Sequence, residues 1–273
     1  MLADSLEEKA LEYMDVPKLG RTHLQDAVPI TVGQELNAWA SAIRRDVDRG
    51  HKAIELLSVV NMGGTAVGTS INADPVYVES VVDELRKCSG IDGMTGASNL
   101  VDATQNVDVL VEVSGFMKAT ATTLTKIAND LRLMASGPMV GLAEVRLPAI
   151  AAGSSIMPGK VNPVIPELVN QVCFRVFGND LTISLAASAG QFELNVMQPV
   201  IAYSLFESIG MITNAMKSLA EKVVKGMKFN RQLLERYAGN ALTLVTALVP
   251  FIGQDAASEV SKRAMEEGRD IIS

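Results

Sequence analysis

Residues 104–134, TQNVDVLVEVSGFMKATATTLTKIANDLRLM, decide the fold class. Val107, Val111, Ser114, Met117, Leu124, Ala128, Leu131 and Met134 recur at helical spacing, so one seam runs along one face of a long helix. At ~1.5 Å per residue, some thirty residues predict a rod of roughly 45 Å, the length found in elongated bundles.

Working outward, the flanking segments read the same way. Residues 31–60 predict a long helix, capped by Thr31 or the loop before it, with Trp39, Ile43 and Val47 on its inner face. Asp74 is a good N-cap and Pro75 a good first helical residue, opening a helix that reaches about Cys88. Two more long helices are predicted at about 163–189 and 193–225, the second kinked at Pro199. Shorter helices follow near 230–246 and 254–268, and residues 2–14 form an amphipathic helix with Leu2, Leu6, Ala10 and Met14 on one face. That first helix has no cap before it, which suggests a piece of something longer. The expected fold is all-α, an elongated antiparallel bundle of long helices.

Composition supports this. Of 273 residues 48% are hydrophobic and only 4% aromatic, with abundant Ala, Leu, Val and Met, a balance that favours helices over a β-sandwich. A net charge of −7 argues against a nucleic-acid partner, and requires any site for an anionic substrate to supply its own cations. Two cysteines, Cys88 and Cys173, make neither a disulfide framework nor a zinc site and suit a reducing cytoplasm. The N-terminus is not a signal peptide, and the apolar run near 194–206 is interrupted by Asn195, Gln198 and Pro199, so no membrane span is expected.

Three loops carry the candidate chemistry. Gly20–Pro29 contains Thr22 and His23; on spacing alone a capping turn is the first reading, although the only other histidine, His51, lies in a charged helical stretch and reads as solvated. Residues 136–162 have no helical period, and a connection this long inside a helical protein is usually functional. Its end, Gly153-Ser154-Ser155-Ile156-Met157-Pro158-Gly159-Lys160-Val161-Asn162-Pro163, reads as a flap: Gly153 and Gly159 are hinges, and two hydroxyls, a cation and an amide stand on one short stretch. Apolar Ile156, Met157 and Val161 require something for it to pack against. The Gly-rich stretch Gly63–Asn72 lacks a GK[ST] ending and a preceding strand, so close helix packing or a polar pocket wall is preferred over a phosphate or dinucleotide loop.

The flap pattern Gly-Ser-Ser-x-Met-Pro-x-Lys-x-Asn-Pro and the segment Gly20-Arg21-Thr22-His23, in this order and between long helices, resemble the aspartase/fumarase superfamily. The similarity runs over essentially the whole chain. Thr22–Ala27, Asn72–Pro75 and Asn99–Asn106 are more similar to its aspartate-specific branch.

The resemblance implies a lyase that eliminates ammonia from L-aspartate to give fumarate, with fumarate hydration or a non-catalytic oligomerising scaffold as alternatives. It implies that Ser154 removes a proton from the carbon beside a carboxylate. Thr22, His23, Lys160 and Asn162, with Ser155 beside the base, would bind the dicarboxylate and stabilise the enediolate-like intermediate. Glu167, in the first turn of the next helix, would pair with His23 and hold its ring; without the resemblance it simply complements the helix dipole. No cofactor is implied, and no ligand cluster indicates a metal. A homotetramer with each site shared among three subunits is implied, and apolar seams on more than one helix face fit it. Nothing in residues 1–19 matches the family's Ser/Thr/Asn-rich third catalytic segment. The expected organisation is therefore a central bundle over 1–228 and a small helical C-terminal domain over 229–273 that is cut short, with weak or no activity in isolation.

Overall fold

The computed structural model describes residues 1–151, 156–239 and 242–267. Its order is α1 Leu2–Glu12, β1 Pro17–Thr22, β2 Gln25–Thr31, α2 Val32–Leu57, β3 Val59–Val60, α3 Pro75–Ser89, β4 Thr95–Gly96, α4 Leu100–Gln105, α5 Asp108–Met134, β5 Val145–Arg146, α6 Val164–Ser188 and α7 Gln198–Leu219. A π-helical turn Ala220–Val224, β6 Lys228–Phe229, α8 Arg231–Gly239, a 3-10 segment Leu242–Leu248, α9 Val249–Ile252 and α10 Gln254–Glu267 complete it. Long helices dominate, as expected of the all-α class, and the strands form three two-stranded ladders.

Local chemistry sets the helix ends. The Gln34 N–H donates to Thr31 Oγ1 (3.1 Å) and the Thr31 N–H to Gln34 Oε1 (2.9 Å), a reciprocal capping box that starts α2. Asp74 accepts from the Val76 N–H at 2.8 Å with Pro75 as the first helical residue, and Gly90 in the left-handed region ends α3.

Several boundaries differ from expectation. The helix expected over 104–134 is two helices, because Asn99 caps a separate α4 and Asn106 adopts an extended ψ of 136°. The Asn106 amide donates to Asp102 Oδ1 at 2.6 Å, so a short polar side chain competes with continuation of the helix. Pro199 does not kink α7; it is the helix's second residue, where a missing N–H costs nothing. The helix starts late because Asn195, 1% exposed, donates to the Ala186 and Ala187 carbonyls and accepts from the Met197 N–H, joining the end of α6 to the start of α7. The helix expected over 230–246 is α8 followed by a 3-10 segment. Val47 is exposed, and Asp46 takes its place on the inner face after Leu36, Trp39 and Ile43.

The chain folds as two compact units. The first gathers Met1–Ala42, Ile127–Glu167 and the chain from Lys217 on. Leu2, Leu6, Val32, Leu36, Leu131, Leu219, Met227 and Leu234 are buried in it, and Tyr13 meets Phe229 edge-on at 5.0 Å.

The second unit comprises Ile43–Lys126 and Leu168–Met216. Val107, Val113, Ile183, Ala186, Ile201 and Leu205 form its core cluster. Asp180 on α6 accepts from Ser114 and Lys118 of α5 at 2.8 and 2.7 Å, and Asn179 donates to Ser208 and Glu207 of α7 at 3.0 and 2.8 Å. The Gly-rich stretch ends in close packing: Gly68 has φ +84°, and a Cβ there would lie 2.3 Å from the Val101 backbone. His51 is exposed, as expected.

Two predictions follow from burial in this unit. Cys173 is fully buried, which pushes its thiol pKa up, whereas Cys88 is exposed. A thiol reagent is expected to label Cys88 in the native chain and Cys173 only in denaturant; rapid native labelling of both contradicts this packing.

Burial also pushes the Asp46 carboxyl above its ordinary value, against the opposing pull of Arg49 at 2.5 Å. Because the folded pKa is raised, the native state carries a penalty that is complete above that pKa and fades as pH falls through and below the ordinary carboxylate range. Asp46→Asn is expected to raise Tm at about pH 7, with the gain vanishing in acid. A lowered Tm at neutral pH means that the Arg49 pair outweighs desolvation.

Candidate functional site

The segment around Gly20–Pro29, expected to be a loop, has regular structure. It is a β-hairpin, with Pro17 opposite Thr31, Lys18 opposite Ile30 and Thr22 opposite Gln25. The two residues between the strands, His23 (φ 55°) and Leu24 (φ 60°), both lie in the left-handed region. A two-residue hairpin turn with both φ angles positive normally selects Asn-Gly, so His-Leu here is strained backbone. Strain of this kind persists where the surroundings over-determine it, commonly at functional sites. The turn lifts Thr22 and His23 into solvent; the His23 ring forms no hydrogen bond or ion pair among the described residues.

The hairpin stem is anchored by charge. Lys18, 4% exposed, donates to both Glu35 oxygens at 2.8 Å and contacts Met134 Sδ at 3.0 Å. Glu144, 0% exposed, is ion-paired through Oε1 to Arg21 and lies 3.2 Å through Oε2 from Lys18, the latter without a well-directed hydrogen bond. Two cations thus face two carboxylates in a nearly dry space, where removing any one member leaves a buried charge uncompensated. The Glu144 backbone also bonds the Met134 carbonyl and the Asn230 N–H, both at 2.9 Å. One residue therefore joins the end of α5, the hairpin stem and the approach to α8.

Gly153, Ser154 and Ser155, expected as hinge, base and substrate contact, lie outside the described residues. The flap resumes at Ile156. The Lys160 N–H donates to the Met157 carbonyl at 3.2 Å around Pro158 and Gly159 (φ +80°), the residue pattern of a type II turn. This explains the Met-Pro-Gly-Lys sequence: proline sets the first corner and glycine supplies the second. Ile156 is 86% exposed, and Met157 and Val161 are about half exposed, so these apolar side chains have little cover within this chain.

Asn162 precedes α6, whose first turn carries Glu167; the Glu167 N–H donates to the Pro163 carbonyl at 3.1 Å. Among the described residues the expected His23–Glu167 pair is not one of the contacts that His23 makes.

Lys160 and Asn162 line a recess of ≈ 840 Å³ together with Pro158, Gly159, Arg146, Lys228 and Asn230. Sequence reasoning named Lys160 and Asn162 but missed Arg146, Lys228 and the buried Lys18–Glu35–Glu144–Arg21 cluster. Arg21 stood in a quoted segment, but nothing local marked its partner, Glu144, as buried. Among the described residues no group of three His, Cys, Asp or Glu is placed to hold a metal, and no helix is long and apolar enough to cross a membrane.

Known proteins are similar to this chain in sequence and in structure. Aspartate ammonia-lyase from a Bacillus species is 51% identical over 97% of this chain and 56% of its own length. The enzyme of the same name from Escherichia coli K12 is 46% identical over 99% of this chain and 56% of its own. Among solved structures, a fumarate lyase:delta crystallin from Brucella melitensis bound to cobalt superposes with a TM-score of 0.95 at 47% identity, covering 99% of this chain and 58% of that one. A class II fumarase from Schistosoma mansoni does so with a TM-score of 0.91 at 38% identity, covering 99% and 59%. The chain thus spans little more than half the length of the relatives it matches. The lyase family profile matches residues 1–178, and with these relatives it establishes that the chain belongs to this lyase family, the aspartase/fumarase superfamily of carbon-lyases.

Proposed function

We propose that the chain is the larger part of an aspartate ammonia-lyase, which eliminates ammonia from L-aspartate to give fumarate. The observation that carries this reading is the 46–51% identity to enzymes of that name, together with Lys160 and Asn162 on the flap and a strained His23-Leu24 turn beside Thr22. Fumarate hydration is the second reading, favoured by the 38% identical class II fumarase.

Ser154, as alkoxide, takes a proton from the carbon beside one carboxylate. The C–H electron pair moves into that carboxylate, giving an enediolate-like dianion. As the pair returns, a carbon–carbon double bond forms, the carbon–nitrogen bond breaks and ammonia leaves. An acidic chain needs concentrated donors for this, and Thr22, Lys160, Asn162 and Ser155 supply them. Closure about Gly153 and Gly159 excludes water.

His23 and Glu167 meet across subunits in this reading, which fits a His23 ring without a hydrogen-bond or ion-pair partner among the described residues. Apolar side chains such as Phe174, Leu181, Leu185 and Phe206 are more than half exposed on α6 and α7, in keeping with a homo-oligomer, a tetramer in our reading. We keep Phe229 as the start of a small C-terminal domain and place the protein in the cytoplasm, in keeping with the free thiols Cys88 and Cys173. The chain spans 56% of the length of these relatives, and residues 1–273 alone are expected to show weak or no turnover.

The test is fumarate formation from aspartate and from malate, with the portion of a relative outside the matched region supplied in trans. Turnover of aspartate supports the lyase; turnover of malate alone selects the hydratase; no turnover of either leaves the scaffold.

A further inference from the structure

The recess beside the flap has a charge pattern that the elimination does not require. Arg146 and Lys228 are direct cross-strand partners in the antiparallel β5–β6 ladder, so their side chains leave the same face. Like charges directly opposite destabilise a ladder. Lys160 adds a third cation to the same ≈ 840 Å³ recess, and none of its lining residues is a carboxylate. This is notable in a chain of net charge −7.

Elsewhere the chain pairs many of its cations: Lys18, Arg21, Arg49, Arg86, Lys118 and Arg175 all meet carboxylates. Among the described residues Arg146, Lys160 and Lys228 meet none. Two amides complete the lining. Asn230 spends its Oδ1 accepting from the Leu233 N–H at 3.3 Å, which leaves its NH₂ as a donor, and Asn162 stands on the flap side.

We propose that this recess binds a small multivalent anion through its carboxylate or phosphate oxygens, gripped by Arg146 and Lys228 on the ladder and by Lys160 on the flap. A planar guanidinium and two ammonium groups match such an anion, and the bound charge offsets the repulsion built into the ladder. Occupancy ties Lys160 to the stem and so competes with its use on the substrate, making the recess a regulatory site for the flap. The site rests on the lyase reading only through this last consequence; binding itself depends on Arg146 and Lys228, which the elimination does not use.

Titration calorimetry on the 273-residue chain tests it, with succinate and inorganic phosphate as separate probes and sodium chloride at equal ionic strength as the control. Saturable binding of at least one probe is expected, weakened about tenfold or more in Arg146→Ser/Lys228→Ser. The charge-matched variant Lys52→Ser/Lys87→Ser, on exposed helix positions, and His23→Ala are expected to bind as the parent does. The probe that binds identifies a carboxylate or a phosphate ligand.

Absence of saturable binding by either probe overturns the proposal, as does undiminished binding in Arg146→Ser/Lys228→Ser. Binding that survives in that variant but is lost in His23→Ala locates the anion at the reaction centre, refuting the recess while leaving the lyase reading intact. Recess binding without any aspartate turnover in the completed enzyme has the opposite meaning. Circular dichroism of each variant checks folding, and the single variants Arg146→Gln and Lys228→Gln, each expected to bind more weakly than the parent, replace the double variant if it is unfolded.

Discussion

Glu144→Ala is expected to destabilise the chain by about 3–5 kcal/mol, the range for removing one partner from a buried ion pair. Glu144 is fully buried between Lys18 and Arg21, and among the described residues only the first of these cations has a second carboxylate, Glu35. Truncation therefore leaves Arg21 without its charge partner in a site from which water is largely excluded, and also opens a void among the packed neighbours. Glu144→Gln keeps the volume and is expected to lose less, because an amide still accepts from the guanidinium. Urea unfolding reads both: the midpoint should fall with little change in slope. A loss below about 1 kcal/mol for the alanine variant would show that water reaches the cluster and screens it. Because Glu144 anchors the hairpin stem, the His23 imidazole signal in an NMR spectrum should also shift, while that of exposed His51 stays in place.

Ser154→Ala is expected to remove turnover in the completed enzyme by about 10²–10⁴-fold or more, the range for a positioned proton-transfer group. The loss should fall on kcat with KM little changed, since in the proposed mechanism the serine acts on the proton only as the transition state forms. Lys160→Ala should act on both parameters, because a cation that binds the carboxylate in the ground state binds it more strongly as charge builds. His23→Ala is expected to follow Ser154→Ala. Undiminished turnover in Ser154→Ala would assign the base elsewhere and remove the flap from the chemistry.

Much of the helical framework was readable because its determinants are local. Thr31 as a cap, Asp74 with Pro75 and the apolar spacing of Leu124, Ala128 and Leu131 each act within a turn or two of helix. The errors came where a side chain offers the backbone a competing bond, as at Asn106, or where a cap sits later than the apolar pattern suggests, as at Asn195. The hairpin over 17–31 escaped because His-Leu is a poor sequence for a turn with two positive φ angles.

The lyase family was identified from sequence through a resemblance that the matched relatives support, and the Pro158-Gly159 turn follows from residue chemistry alone. By itself, then, the sequence determined the helical class, most helix ends and the lyase family. Tertiary structure decided how charge is distributed around the flap. Glu144 is buried against Lys18 and Arg21, and Arg146 faces Lys228 across a ladder, through contacts between residues far apart in the chain. Such contacts leave no periodic trace, because the energy of a charge depends on the solvent and partners around it rather than on its sequence neighbours.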